Sequence, residues 1–126
     1  MKFINKINLS YSSLVYAINI CQEKEGYMVG IATDDDISYE KAKDFLIKIV
    51  KNWDDVERIS NSKYASNFHL YFKNGSFIKF IRTNGNARMQ RFNLLIADEN
   101  ISDDVMRYIV LPCFIPYYWE EDHEYK

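Results

Sequence analysis

Apolar residues recur every three to four positions in two early segments, which is the spacing of one buried face of an α-helix. The first segment follows Ser10 and Ser12, either of which can cap a helix, and it ends before Gly26, which can terminate one. The second follows Ser38, which is a plausible cap. We predict two helices whose apolar stripes are Leu14, Val15, Ile18 and Cys21 in the first and Tyr39, Ala42, Leu46, Ile49 and Val50 in the second.

Three further stretches have the pattern of β-strands. Residues 27–33 and 92–97 are apolar on both faces, as expected of buried strands, and we place the first at the centre of a parallel sheet. Residues 64–82 alternate between apolar and polar on either side of Asn74-Gly75. An Asn-Gly pair between alternating segments favours a tight β-hairpin in which both turn positions take a positive φ.

The order of these elements predicts the fold class. A short strand at residues 2–9 opens the chain, Ser102 can cap a short closing helix, and two prolines restrict residues 111–119 to an edge strand or an extended segment. We predict an α/β fold with a mixed, mainly parallel central sheet, helices packed on it and an antiparallel β-hairpin at about residues 64–82. Because no linker interrupts residues 1–126, they are predicted to form a single domain.

The composition argues against membrane spans, disulfides and a zinc site. The chain has 126 residues, 48% of them hydrophobic, which is enough to fill one core. Its apolar runs are far shorter than the roughly 20 residues of a membrane span, so we predict a soluble, cytoplasmic protein with no membrane partner. Cys21 and Cys113 both lie in apolar stretches, which favours two buried thiols over a disulfide. His69 and His123 are too far apart in sequence for the usual zinc spacing, and we predict no cofactor.

Charge is distributed unevenly along the chain, although its net value is only −2. Residues 63–97 contain no acid and carry +6, while residues 98–126 carry −6. Such a polarised chain can steer a charged partner, or the two segments can neutralise each other side by side. The basic residues of the first segment are Lys63, Lys73, Lys79, Arg82, Arg88 and Arg91.

Acidic residues follow two of the predicted buried strands. Asp98 and Glu99 end the strand at residues 92–97, and Asp34 follows the strand at residues 27–33. The carboxyl edge of a parallel sheet is where open α/β folds bind ligands, and carboxylates there can hold magnesium or activate a water. The alternative is structural: a solvated strand-end pair that Arg88 or Arg91 can bridge, and a solvated acidic turn before a helix.

The order of several segments resembles the ATPase core of phage terminase large subunits and the wider class of P-loop motors. The resemblance covers about residues 8–100 and implies a phage or prophage origin, a magnesium ligand at Asp98 and a catalytic carboxylate at Glu99. The matching segments are "SLVYAINICQEKEGY", "MVGIATDDD", "EKAKDFLIKIV", "FKNGSFIKFI", "NARMQRFN" and "LLIADEN".

The chain departs from this family at the phosphate-binding loop. Family members have a glycine-rich loop ending in Gly-Lys-Ser/Thr, whose amides and lysine hold the phosphates. Here Ser10 and Tyr11 stand where the Gly and Lys would be, and no Lys in the chain is followed by Ser or Thr. Met89 also replaces the glycine expected after Arg88, which puts a sensor role for that arginine in doubt. We therefore expect no ordinary ATP hydrolysis.

Three functions are compatible with these observations. The first is a non-catalytic regulator, adaptor or inhibitor that contacts a protein partner through the aromatic and acidic side chains near the C-terminus; a frayed acidic tail on a packed aromatic cluster is the alternative there. The second is a nucleic-acid-binding module that uses the basic hairpin and its rings. The third is residual magnesium-nucleotide binding or hydrolysis at Asp98 and Glu99. The predicted protein interface is Tyr117, Tyr118, Trp119, Glu120 and Glu121, and the predicted nucleic-acid or anion contacts are Lys73, Lys79, Arg82, Arg88 and Arg91.

Overall fold

A computed structural model describes residues 5–33, 35–61, 68–81 and 92–105, in which strands and helices alternate as far as residue 61 and two long helices precede a run of strands. Within these ranges the elements occur in the order β1 (Asn5–Asn8), α1 (Tyr11–Glu23), β2 (Met28–Ala32), α2 (Asp36–Val50), β3 (Val56–Asn61), β4 (Phe68–Phe72), β5 (Phe77–Ile81), β6 (Leu94–Ala97) and α3 (Asp103–Val105). No helix in the described ranges is long and apolar enough to cross a membrane.

The described strands form one sheet in the order β1-β6-β2-β5-β4-β3. The first four strands in this order are parallel to one another, whereas β4 runs antiparallel to both of its neighbours. The prediction of a mixed, mainly parallel sheet with an antiparallel hairpin is therefore confirmed. As predicted, β2 lies inside the parallel part, between β6 and β5.

Both long helices pack on the same face of the sheet. Apolar side chains of α1 and α2 share one core cluster with every second residue of the central strands. In β4, for example, Phe68, Leu70 and Phe72 are buried in this cluster. The residues between them alternate to the opposite face, since successive side chains of a strand point to opposite sides of the sheet.

Capping residues set where the two helices begin. Ser10 caps α1 in a reciprocal capping box with Ser13, as one of the two predicted serines. The predicted cap of α2 was wrong: α2 begins at Asp36, and its cap is Asp35, whose carboxylate accepts the backbone N–H of Ser38 at 2.7 Å. An aspartate cap three residues earlier is favoured because its charge also interacts with the positive end of the helix dipole.

The hairpin turn differs from the predicted two-residue form. Gly75 has a positive φ of 88°, but Asn74 does not share it. Gly75 donates its N–H to Phe72 O at 3.1 Å, and Phe72 donates to Ser76 O at 2.9 Å. This pattern is a wider turn in which glycine alone takes the left-handed conformation. The Asn74 side chain is then free to reach α1, where it donates to the carbonyls of Cys21 at 2.7 Å and Lys24 at 3.3 Å.

Strand β3 had no counterpart in the sequence prediction. It pairs antiparallel with β4 and contains an irregularity between Val56 and Arg58. The extra residue there places Val56 and Ile59 opposite the buried Phe72 and Leu70, respectively, at a spacing of three. A bulge of this kind removes the period of two by which strands are recognised in a sequence. The predicted edge segment at residues 111–119 lies outside the described residues.

Candidate functional site

The carboxyl ends of three parallel strands meet near Asp98. Asp98 donates its backbone N–H to Ala32 O at 2.9 Å, and Leu9 donates to Ala97 O at 2.8 Å. The Asp98 side chain is buried, and its Oδ1 accepts the N–H of Asn100 at 3.1 Å. This bond ties the carboxylate to the turn after β6. Glu99 is exposed.

Within the described residues, two acidic side chains at this edge accept hydrogen bonds from backbone N–H groups two or three residues away. The Asp35 carboxylate caps α2, and its pKa is lowered chiefly by the hydrogen bond from the Ser38 backbone. Asp34 lies outside the described residues. Among the described residues, no cluster of three or more His, Cys, Asp or Glu side chains could hold a metal ion. A magnesium site at Asp98 and Asp34 stays a prediction.

The start of α1 occupies the position where the family resemblance places a phosphate loop. Ser10 donates its backbone N–H to Ser13 Oγ at 2.8 Å, and Ser13 donates its own to Ser10 Oγ at 3.1 Å. These two amides are bonded within the capping box instead of facing an anion. A cleft of about 280 Å³ opens beside them, and Leu9, Leu14 and Ala42 give it apolar walls. Ser10, Tyr11, Ser38 and Lys41 complete the lining, so the cleft is mainly apolar with one cation, unlike the amide-lined loop that holds a triphosphate.

A different set of side chains gathers on the face of the sheet opposite the helices. We call it the basic-aromatic face, and it consists of Arg58 from β3, His69 and Tyr71 from β4, and Phe77 and Lys79 from β5. Strand register brings them together, because Arg58 pairs with Tyr71, Tyr71 with Phe77, and His69 with Lys79. Arg58 is exposed, and the other four are half-buried.

Cations and rings lie close together on the basic-aromatic face. The Arg58 guanidinium carbon is 4.4 Å from the centroid of the Tyr71 ring, and Lys79 Nζ is 4.5 Å from that of Phe77. The Tyr71 and Phe77 centroids are 6.4 Å apart. Both cations are within the range of a favourable cation–π interaction. The arrangement therefore places two positive charges beside two half-buried rings.

Positive charge on this face is not neutralised by a carboxylate within the described residues. Between described residues, only Lys43 and Glu40 form a salt bridge, at 2.9 Å. His69 Nδ1 lies 3.1 Å from the Tyr71 hydroxyl. Burial, followed by Lys79 and Arg58, lowers the pKa of His69 below its ordinary value. At neutral pH the ring is thus uncharged, and the face carries the charges of Arg58 and Lys79.

The predicted anion contacts are separated in the structure. Lys79 belongs to the basic-aromatic face, whereas Lys73 is exposed in the turn between β4 and β5, where its backbone N–H bonds Asp55 O at 2.8 Å. Arg58 and His69 were missed as site residues. Arg58 lies in the strand that the sequence did not predict, and His69 was considered only as a zinc ligand. The predicted contacts Arg82, Arg88 and Arg91 and the predicted interface Tyr117, Tyr118, Trp119, Glu120 and Glu121 lie outside the described residues.

Comparison of the chain with protein-family models, with curated proteins and with solved structures gives no match. The resemblance to terminase ATPase cores is therefore still a prediction.

Proposed function

We propose that this chain is a non-catalytic binding domain whose basic-aromatic face takes single-stranded nucleic acid. The observation that carries the proposal is the placement of Arg58 and Lys79 beside the rings of Tyr71 and Phe77 on one sheet face. The sequence suggested nucleic-acid binding by the basic hairpin alone. The surface proposed here is one face of the hairpin strands β4 and β5 together with β3. The hairpin's turn is not part of that surface, because Asn74 holds it against α1.

The chemistry of a single strand matches both halves of this surface. Its phosphates are attracted to Arg58 and Lys79, and binding releases the counterions that surround the phosphates. Its unpaired bases can stack on Tyr71 and Phe77, at about 1–3 kcal/mol for each base. The Arg58 guanidinium adds another planar group on which a base can stack.

A single strand suits this surface better than a duplex. Base edges in a duplex are reached by an element that enters a groove, as a helix or a two-stranded ribbon does. The ring-bearing residues here lie on the flat of a sheet, in strands paired on both sides: β4 lies between β3 and β5, and β5 lies between β4 and β2. Stacking on such a platform requires bases that are already unpaired.

Fluorescence anisotropy with a labelled oligothymidine or oligouridine tests the proposal. We expect affinity to fall steeply with salt, and Arg58→Gln or Lys79→Gln to reduce the slope of log K against log salt by about 0.7 each. The matched control is Lys48→Gln, because Lys48 is exposed on α2 and α2 packs on the other face. Binding that is independent of salt, or equal losses in the control, would refute the proposal.

A protein partner is a second proposal, and α1 supports it. Tyr11, Val15 and Tyr16 of this helix are 59%, 41% and 47% exposed, respectively. Aromatic residues are enriched in protein interfaces. Because α1 lies on the other side of the sheet from the basic-aromatic face, the two surfaces can be altered independently.

A further inference from the structure

His69 occupies the middle of the basic-aromatic face and has no assigned role. It lies on β4, the central strand of the three that form this face, and it pairs with Ser60 on β3 and with Lys79 on β5. We propose that His69 binds phosphate and takes up a proton when nucleic acid binds, so that acidification strengthens binding. This inference rests on the proposed nucleic-acid function.

The position of the ring leaves one nitrogen for a ligand. His69 Nδ1 lies 3.1 Å from the Tyr71 hydroxyl, and the two ring centroids are 5.9 Å apart. Because that hydroxyl can donate or accept, the contact persists whether the imidazole is neutral or protonated. Nε2 is then the nitrogen that meets a phosphate oxygen, and the protonated ring adds a charge to that hydrogen bond.

The neighbours of His69 oppose its protonation in the unbound protein. The charged groups that act on the ring are Lys79 from β5 and Arg58 from β3, and both lower its pKa in addition to burial. On β4 the facing titratable group is Tyr71. No carboxylate of the described residues forms a salt bridge on this face. The imidazole is therefore neutral in the free protein, chiefly because it is partly buried and also because Lys79 and Arg58 are positive.

Phosphate binding opposes the groups that lower the pKa of His69. Phosphate oxygens beside Arg58 and Lys79 offset their repulsion and favour the protonated imidazole, so the pKa of His69 is higher in the complex than in the free protein. Between these two pKa values the complex holds more protons than the free protein, and affinity rises as pH falls. Because binding takes up at most one proton, the dissociation constant changes by no more than about tenfold per pH unit.

Binding isotherms with an oligothymidine at constant ionic strength test the inference. Between pH 7.5 and pH 5.5 we expect affinity to increase about five- to tenfold, as one proton allows. We expect His69→Gln to bind more weakly than the unaltered protein at pH 5.5 and to lose this pH dependence, because glutamine cannot titrate. The matched control is His123→Gln, which removes the only other histidine of the chain and leaves the pH dependence in place.

A second measurement does not depend on the variant folding. Proton NMR of the unaltered protein follows the titration of the His69 ring, and we expect its pKa to rise when the oligonucleotide is added. If the oligonucleotide binds but the pKa is unchanged, or if His69→Gln keeps the pH dependence, this inference is wrong and the proposed function stands. Absence of binding at every pH overturns both.

Discussion

Cys21 and His69 are both titratable residues whose pKa is shifted by burial, in opposite directions. Burial raises the pKa of the Cys21 thiol to about 12, since it disfavours the thiolate. It lowers the pKa of His69, since it disfavours the imidazolium. The sequence predicted a buried thiol at Cys21 from its place in an apolar stretch, and the structure confirms this. For His69 no pattern in the sequence indicates Arg58 and Lys79 as neighbours, because the three residues lie on different strands.

Cys21 is expected to be chemically inert in the folded protein. The thiolate is the reactive species, and a pKa of about 12 leaves almost none of it at pH 8. In a Cys113→Ser background, we expect Ellman's reagent to react with Cys21 at least about 100-fold more slowly than with the unfolded chain. Rapid reaction under native conditions would contradict the buried position of Cys21 on the face of α1 that packs against β2 and β5.

At the scale of elements, the turn between β4 and β5 shows a function that the sequence did not indicate. Asn74-Gly75 correctly located the hairpin, but the structure uses Asn74 to bond two carbonyls at the end of α1. Ser76 strengthens this junction, since its hydroxyl donates to Lys24 O at 2.5 Å and accepts from the Tyr27 N–H at 2.9 Å. Local pattern predicts a turn, whereas Lys24, at the helix end that Asn74 bonds, is 50 residues away in sequence.

Asn74→Asp separates capping from turn formation. In the unaltered protein the Ser76 N–H donates to Asn74 Oδ1 at 2.9 Å, and an aspartate keeps an oxygen for this bond. The aspartate loses both N–H donors of the amide and adds negative charge at the C-terminus of α1. We expect the free energy of unfolding to fall by about 2 kcal/mol at pH 7. Urea denaturation measures the change. Asn19→Asp, which adds the same charge at an exposed position of α1, should change stability by less than about 0.5 kcal/mol.

At the scale of the whole molecule, one sheet separates two surfaces. Helices α1 and α2 pack on one face, and the basic residues of three strands gather on the other. The sequence predicted a basic hairpin that carries rings, and Lys79, Tyr71 and Phe77 lie in its two strands. It did not identify Arg58, because the irregularity in β3 conceals the alternation that would have predicted this strand.

Magnesium-ATP and an oligonucleotide should affect the melting temperature differently. Any ligand at about 100 times its dissociation constant stabilises the folded state by about 2.7 kcal/mol, which for a domain of this size raises the melting temperature by several degrees. The capping box engages the amides of Ser10 and Ser13, and the Asp98 carboxylate bonds Asn100. We therefore expect no shift with millimolar magnesium-ATP and an upward shift with a short single strand at low salt. A shift with magnesium-ATP that Asp98→Asn abolishes would instead establish the residual nucleotide site that the family resemblance implies.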